Sequence, residues 1–284
     1  HSRNTLTSFA GVQQRVSGSL RLTQVDWLWP SAHYTSAQLR LCADVRRNNN
    51  PPSTNKLLKK IKHTIVRSIP PRIYWTLVGF FNPLSAAIEG QKEEESFYKL
   101  GYDEIVLFKR IHTLQPYWKT LEIGCGPGRI QYALTHSDIP VEAYGTDFSY
   151  SMVVKAKSHV PLGKFSVGDG KSLHQYQNHF FNLVYSFVVF QHMDEEIFVN
   201  YLKESHRVLK PNGVLVFQIQ SSENIPNYSR PKKHPWHVRK YTRPELSHLL
   251  DMAGFHNVNF FDMKCTPDPT HVDESGFLVR AHTF

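Results

Sequence analysis

The sequence predicts an α/β fold: a doubly wound, mostly parallel sheet preceded by an N-terminal helical extension. Three observations lead there. From about residue 103 onward, short apolar strands alternate with helical stretches, the pattern of consecutive βαβ units. A glycine-dense turn, "LEIGCGPGRI" (121–130), joins the first strand to the first helix of that series. Before residue 103 the text is different: polar and weakly periodic to about residue 55, then basic and aromatic.

The elements can be justified in order. Residues 1–55 end in "RRNNNPPSTN" and read as a poorly ordered leader. From Lys56, apolar residues at Leu57, Leu58, Ile61, Ile65 and Ile69 recur at helical spacing with the lysines opposite, and Pro70 and Pro71 should stop that helix. Thr120–Ile123, Val141–Tyr144 and Lys164–Val167 read as strands, and "FNLVYSFVVF" (181–190) as a buried strand and its exit. Helices are expected over Arg129–His136, Ser149–Ser158, Glu195–Leu209 and Thr242–Ala253, the last closed by Gly254. "PNG" (211–213) should turn the chain into "VLVFQI", and two more strands fall near Val258–Phe261 and Phe277–Ala281. The domain plan is therefore 1–55 leader, 56–102 helical extension and lid, and 103–284 catalytic-type α/β domain.

Composition narrows the functional classes. The formal charge is +9, so an anionic partner (nucleic acid, anionic lipid or an acidic small molecule) deserves a place among the hypotheses. Cys42, Cys125 and Cys265 are too few and too scattered for a disulfide framework or a zinc site, which suits a reducing, cytoplasmic compartment and no metal. The first fifty residues hold no sustained apolar stretch, so no secretory signal is expected; starting at His1, the chain reads as a fragment or a processed product. The longest apolar run, Ile73–Ile88, is broken by Asn82 and Pro83 and falls short of the ~20 residues a bilayer span needs.

The glycines sit where a ligand would touch backbone. Gly124, Gly126 and Gly128 can take positive φ, and the amides opening the next helix face the turn. Asp147 ends the second strand, nineteen residues beyond Gly128, where an acid can accept from both hydroxyls of a ribose; it could equally cap the helix near Ser149. Arg129 stands where a dinucleotide fingerprint wants its third glycine, and no lysine with Ser/Thr follows, so a P-loop is excluded.

Five segments in order now carry a family resemblance: "LEIGCGPGRI", "GTDFS", "VGDGKSL", "FNLVYSFVVFQHM" and "LKESHRVLKPNGVLVFQI". From about residue 97 the chain resembles class I S-adenosylmethionine-dependent methyltransferases, nearest to the small-molecule type of bacteria. The resemblance implies a Rossmann-like sheet of seven strands and S-adenosylmethionine as cofactor. It places Glu122 and the turn Gly124, Cys125, Gly126, Gly128 around the methionine part, Asp147 on the ribose and Phe148 beside the adenine. It assigns Asp169 to the adenine amino group, with Gly168 and Gly170 leaving room, and Ser186 to the methionine end; the residues alone also allow Asp169 as an ordinary turn acid and Ser186 as a buried strand-end hydroxyl. It also makes 97–104 a lid over the cofactor, where Phe97 and Tyr98 shield the methyl and Tyr98 meets the substrate; the alternative has both as core.

Methyl transfer asks an enzyme to align an acceptor and, for a protic one, to take its proton. His192, just past the fourth strand, is the candidate base because imidazole titrates near neutrality; the bland alternative has it packing against the sheet. Gln191 is expected to hydrogen-bond cofactor or acceptor, and Asp194 to cap the next helix. After "FQI", residues 221–243 hold six Lys or Arg and only Glu223 as an acid, so Arg230, Lys232, Lys233, His237 and Arg239 are candidates for an anionic acceptor. The acceptor classes left open are a small molecule, a glycan or a lipid. Between Asp44 and Glu89 there are eight Lys or Arg and no acid, and residues 56–81 suit a peripheral membrane contact. The competing readings are an RNA methyltransferase, disfavoured by the lack of a "[DNS]PP[YF]" fourth motif or an RNA-binding module, a non-catalytic cofactor-binding module, and an NAD-dependent oxidoreductase.

Overall fold

The computed structural model describes residues 70–81, 84, 94–230, 238–264 and 275–284, which all fall in the compact unit Lys59–Phe284. The leader over 1–55 and the basic helix over 56–69 lie outside the described residues. The order is α1 (Pro71–Phe81), α2 (Glu94–Ile111), β1 (Lys119–Ile123), α3 (Arg129–Thr135), β2 (Glu142–Asp147), α4 (Tyr150–His159), β3 (Lys164–Val167) and β4 (Phe181–Ser186). A 3-10 turn over Phe190–His192 follows. Then come α5 (Glu195–Val208), β5 (Leu209–Ser221), β6 (Lys240–Tyr241), α6 (Arg243–Met252), β7 (His256–Lys264) and β8 (Ser275–His282).

Pro71, expected only to stop a helix, opens one. At the first turn its missing N–H has no intrahelical partner to lose. The segment 97–104, expected as a lid, is the packed N-terminal half of α2, whose first turn carries Glu94 and Glu95 at the positive end of the helix dipole. Local chemistry fixes other ends as well. Ser149 accepts from the Met152 amide at the start of α4, and Thr242 with Glu245 forms a capping box at the start of α6.

The sheet runs β3-β2-β1-β4-β5-β8-β7, with the two-residue β6 added beside the end of β5, so the eighth strand is a short appendage to the seven expected. β1 to β5 are parallel; β8 is antiparallel to both β5 and β7. "PNG" does not precede β5 but lies within it, as an irregularity that moves the pairing from Phe181↔Leu209 to Leu183↔Val214. There Asn212 takes φ 61 and the Gly213 N–H donates to Thr283 Oγ1 at 2.9 Å.

Strand alternation sorts the core onto the two faces of the sheet. Leu121, Val184, Leu215, Phe217 and Ile219 pack with Phe198, Tyr201 and Leu202 of α5 and Leu246 and Leu250 of α6. Leu183, Tyr185, Val214 and Val216 pack with Ile105 and Phe108 of α2 and Ile130, Ala133 and Leu134 of α3. The strand order reverses direction between β1 and β4. Adjacent loops there diverge to opposite faces and leave a crevice at the carboxyl ends of those strands. Among the described residues, no helix is long and apolar enough to cross a membrane.

Candidate active site

A cavity of ≈ 540 Å³ occupies that crevice. Its floor is the loop after β1, which is shaped by glycine. Gly124, Gly126 and Gly128 have φ of 75°, 50° and 84°. A Cβ on Gly124 would come within 2.5 Å of Val189 Cγ2. Gly124→Ala therefore combines left-handed backbone strain with a steric overlap, and is expected to cost about 2–4 kcal/mol, a fall in Tm of roughly 5–10 °C by thermal unfolding. Gly128 serves packing instead: its missing Cβ makes room for Ala156, Val160 and Phe165 at 3.2 Å, and it is not on the cavity wall.

Asp147, at the end of β2, ties this loop to the next helix. Its Oδ2 accepts the Gly126 N–H at 3.0 Å and its Oδ1 the Ser149 N–H at 2.8 Å. The helix cap itself is Ser149, so the two readings of Asp147 resolve into an anchor that spans both loops. Burial lifts its carboxyl to about 6, against the opposing pull of those two amides. Glu122 on β1 is buried beside it and is pushed up to about 8, first by burial and then by the negative charge of Glu104. Gln131 lies beside the Glu122 carboxyl and donates from Nε2 to the Tyr185 hydroxyl at 3.3 Å, while Glu122 Oε2 has no hydrogen-bond partner among the described residues.

Glu104 of α2 forms a 2.6 Å ion pair with Arg129, and burial raises it to about 7 despite that arginine. Glu104 and Glu122 thus share the Arg129 guanidinium, with Glu122, Arg129 and Asp147 on the cavity wall. Cys125, also on the wall, is buried with its thiol pushed up by desolvation and by Asp147. Among the described residues, no group of His, Cys, Asp and Glu could hold a metal ion.

Glu122, Gly124, Cys125, Gly126, Asp147, Phe148, Gly168, Gly170, His192 and Arg239 all line the cavity. Others singled out in the sequence do not, and each has a physical reason. The Asp169 carboxylate turns into its own loop, accepting from the Lys171 and Ser172 amides and from Ser172 Oγ, all at 2.7 Å. Ser186 is fully buried and donates to the Ile123 carbonyl at 2.9 Å, bracing β4 against β1. Gln191 is buried behind the wall, with its carbonyl accepting the Arg239 N–H at 2.7 Å. Tyr98 packs against Tyr132 and His159 beneath the glycine loop, its hydroxyl 3.4 Å from the Pro127 carbonyl, while Phe97 reaches the wall. Arg230 is held by Glu195 and Glu245 over the Tyr241 ring. Lys232, Lys233 and His237 lie outside the described residues.

Asp194 begins α5, but its side chain makes no cap hydrogen bond. It pairs instead with the buried Arg239, whose Nη1 also donates to the His192 carbonyl at 3.2 Å. Arg239 therefore clamps the turn that carries His192. Also on the wall, and not singled out as site residues in the sequence, are Pro70, with Pro71 and Trp75 of α1, and Val188, Met193, Ile197 and Tyr201. Val188 is a β-branched residue at φ 58, a conformation held against its steric cost, and nothing in the sequence announces it. Arg129 was visible only as the residue that breaks a dinucleotide pattern.

Residues 121–217 match the methyltransferase domain family. A relative from Mycolicibacterium smegmatis, named a probable S-adenosylmethionine-dependent methyltransferase, is 26% identical over 135 residues, 48% of this chain and 51% of the relative. The chain thus spans about half the length of that relative. In fold, the 4+2 cyclase SpnF superposes with a TM-score of 0.56 at 17% identity, over 75% of this chain and 94% of the other. A phosphoethanolamine N-methyltransferase from Haemonchus contortus, solved with phosphomonomethylethanolamine and S-adenosylhomocysteine, gives 0.51 at 14% identity over 64% and 52%. The match to the methyltransferase domain family thus falls on residues 121–217, the segment that carries the glycine loop, Asp147 and most of the cavity wall.

Proposed function

We propose that the protein transfers a methyl group from S-adenosylmethionine to a small-molecule, glycan or lipid acceptor that enters over the carboxyl end of β4. The observation that carries the reading is the acidic floor of the cavity: Glu122, with an unpartnered Oε2, lies beside an Asp147 already locked to the bare-backbone loop. That floor fits a cationic, ammonium-bearing nucleoside. It would repel the pyrophosphate of a dinucleotide, which the same loop would otherwise receive.

S-adenosylmethionine supplies an electrophilic methyl on a positively charged sulfur. The chain's own residues do the rest. Asp147 would hold the ribose hydroxyls, its orientation already set by Gly126 and Ser149. Glu122 would meet the ammonium, and Phe148 would offer a face to the adenine. The walls of Phe97, Trp75, Phe187, Val189, Met193 and Ile197 exclude water and align an acceptor with an apolar body. His192, on the wall and held by Arg239 through its carbonyl, would take the acceptor's proton.

Radiolabelled S-adenosylmethionine incubated with host extract split into small-molecule, lipid, glycan, protein and RNA fractions tests the reading: label is expected in one of the first three, and label in protein or RNA alone would contradict it. With that acceptor, His192→Ala is expected to lower kcat about 100-fold and flatten the pH profile, while S-adenosylhomocysteine affinity holds within about threefold. An unchanged rate and pH profile would remove His192 from the mechanism.

A further inference from the structure

α1 has two unlike sides. One side docks: Gly79 sits against Ser151 and Met152 of α4, and the hydroxyls of Ser149 and Ser151 donate to the Trp75 and Thr76 carbonyls at 3.2 and 2.7 Å. Trp75 and Pro71 of the same helix reach the cavity wall. On the other side Ile73, Leu77, Phe80 and Phe81 are 52%, 45%, 61% and 75% exposed. Their spacing of i, i+4, i+7 and i+8 puts them on one stripe of the helix. The α4 helix that receives α1 adds exposed Tyr150 and Val154, themselves one turn apart.

We propose that this stripe inserts into an anionic lipid surface, so that the cavity faces a bilayer and draws its acceptor from it. Charge complementarity selects the occupant. α1 carries Arg72 and no acid, and it lies within a stretch of 44 residues, between Asp44 and Glu89, with eight Lys or Arg and no Asp or Glu. Aromatic and aliphatic side chains in a segment rich in cations are what an interfacial helix needs: burial of the former in the acyl boundary, and attraction of the latter to acidic headgroups. A second copy of the chain, equally basic, would meet the stripe with like charge. The cavity suits such a source, because α1 contributes to its wall directly and most of the remaining wall is apolar. The acceptor clause rests on the proposed methyl transfer; the surface clause does not.

Flotation with phosphatidylcholine vesicles, with and without roughly one third phosphatidylglycerol, tests the surface without any turnover. The full chain is expected to float with the anionic vesicles at low salt and to stay behind with neutral ones. The double variant Phe80→Ser, Phe81→Ser is expected to lose at least about tenfold of that partitioning, with S-adenosylhomocysteine affinity and Tm unchanged. Equal flotation of both proteins, or none with anionic vesicles, overturns the proposal. So does a dimer that the double variant disperses, or an RNA oligomer that binds the chain through Phe80 and Phe81. Failure of cofactor binding in the wild type would instead strike the proposed function and leave the surface result standing.

Discussion

Asp147→Asn is expected to weaken S-adenosylhomocysteine binding about 100-fold, close to 3 kcal/mol, by calorimetry. The aspartate has two oxygens, and each already accepts a backbone N–H, from Gly126 and from Ser149. An asparagine accepts with only one oxygen; its amide nitrogen would confront the other N–H donor. The loop then loses the tie that holds Gly126 in its left-handed conformation, and the ribose loses a charged acceptor. Because the defect is in the loop as well as the contact, Asp147→Glu should not restore affinity. Wild-type affinity in Asp147→Asn would show that the cavity binds its ligand without this acid.

Glu122→Gln carries the second large effect, and its sign reverses between stability and binding. Burial holds the folded Glu122 carboxyl near 8, against an ordinary value of 4.5. Between those values the folded chain keeps a proton that the unfolded chain has released. The contribution to stability is therefore full below about 4.5 and is lost as pH rises towards 8. Glutamine keeps the shape and removes the titration, so the ligand-free variant should melt a few degrees above the wild type near pH 8 and together with it near pH 5.

Binding runs the other way. A cationic ammonium prefers the ionised carboxylate, so wild-type affinity for S-adenosylhomocysteine should rise about tenfold from pH 6.5 to 8.5 with uptake of ligand releasing a proton. Glu122→Gln should bind more weakly at high pH and keep only the shallower dependence due to Glu104, which burial holds near 7. Calorimetry in buffers of different ionisation enthalpy counts that proton directly. Parallel pH dependences in the two proteins would separate Glu122 from the ligand.

What the sequence disclosed was local. The glycine turn, Glu122 and Asp147 fall within 26 residues, and βαβ geometry folds a segment of that length onto one sheet edge without help from the rest of the chain. The positions of the strands along the chain likewise follow from alternating apolar runs, whereas their order in the sheet does not. The hidden features depend on distant partners. Trp75 and Pro71 reach the wall only because α1 docks on α4 through small residues, Gly79 against Ser151, which no periodicity reveals. Asp194 looks like a helix cap, yet Arg239, 45 residues later, outcompetes the cap because its guanidinium is buried there and must be paired. Asp169 and Ser186 occupy motif positions, but nearer donors and acceptors, the Lys171 and Ser172 amides and the Ile123 carbonyl, claim their side chains. A motif fixes where a residue sits on the backbone; the direction of its side chain is decided by neighbours the motif does not contain.

The most direct measurement is calorimetric titration of the folded protein with S-adenosylmethionine, S-adenosylhomocysteine and NAD at matched pH and salt. The acidic floor should take up both adenosyl compounds at one site per chain, with micromolar or tighter affinity, and decline the dinucleotide. Heat from NAD alone, or from none of the three, would contradict it.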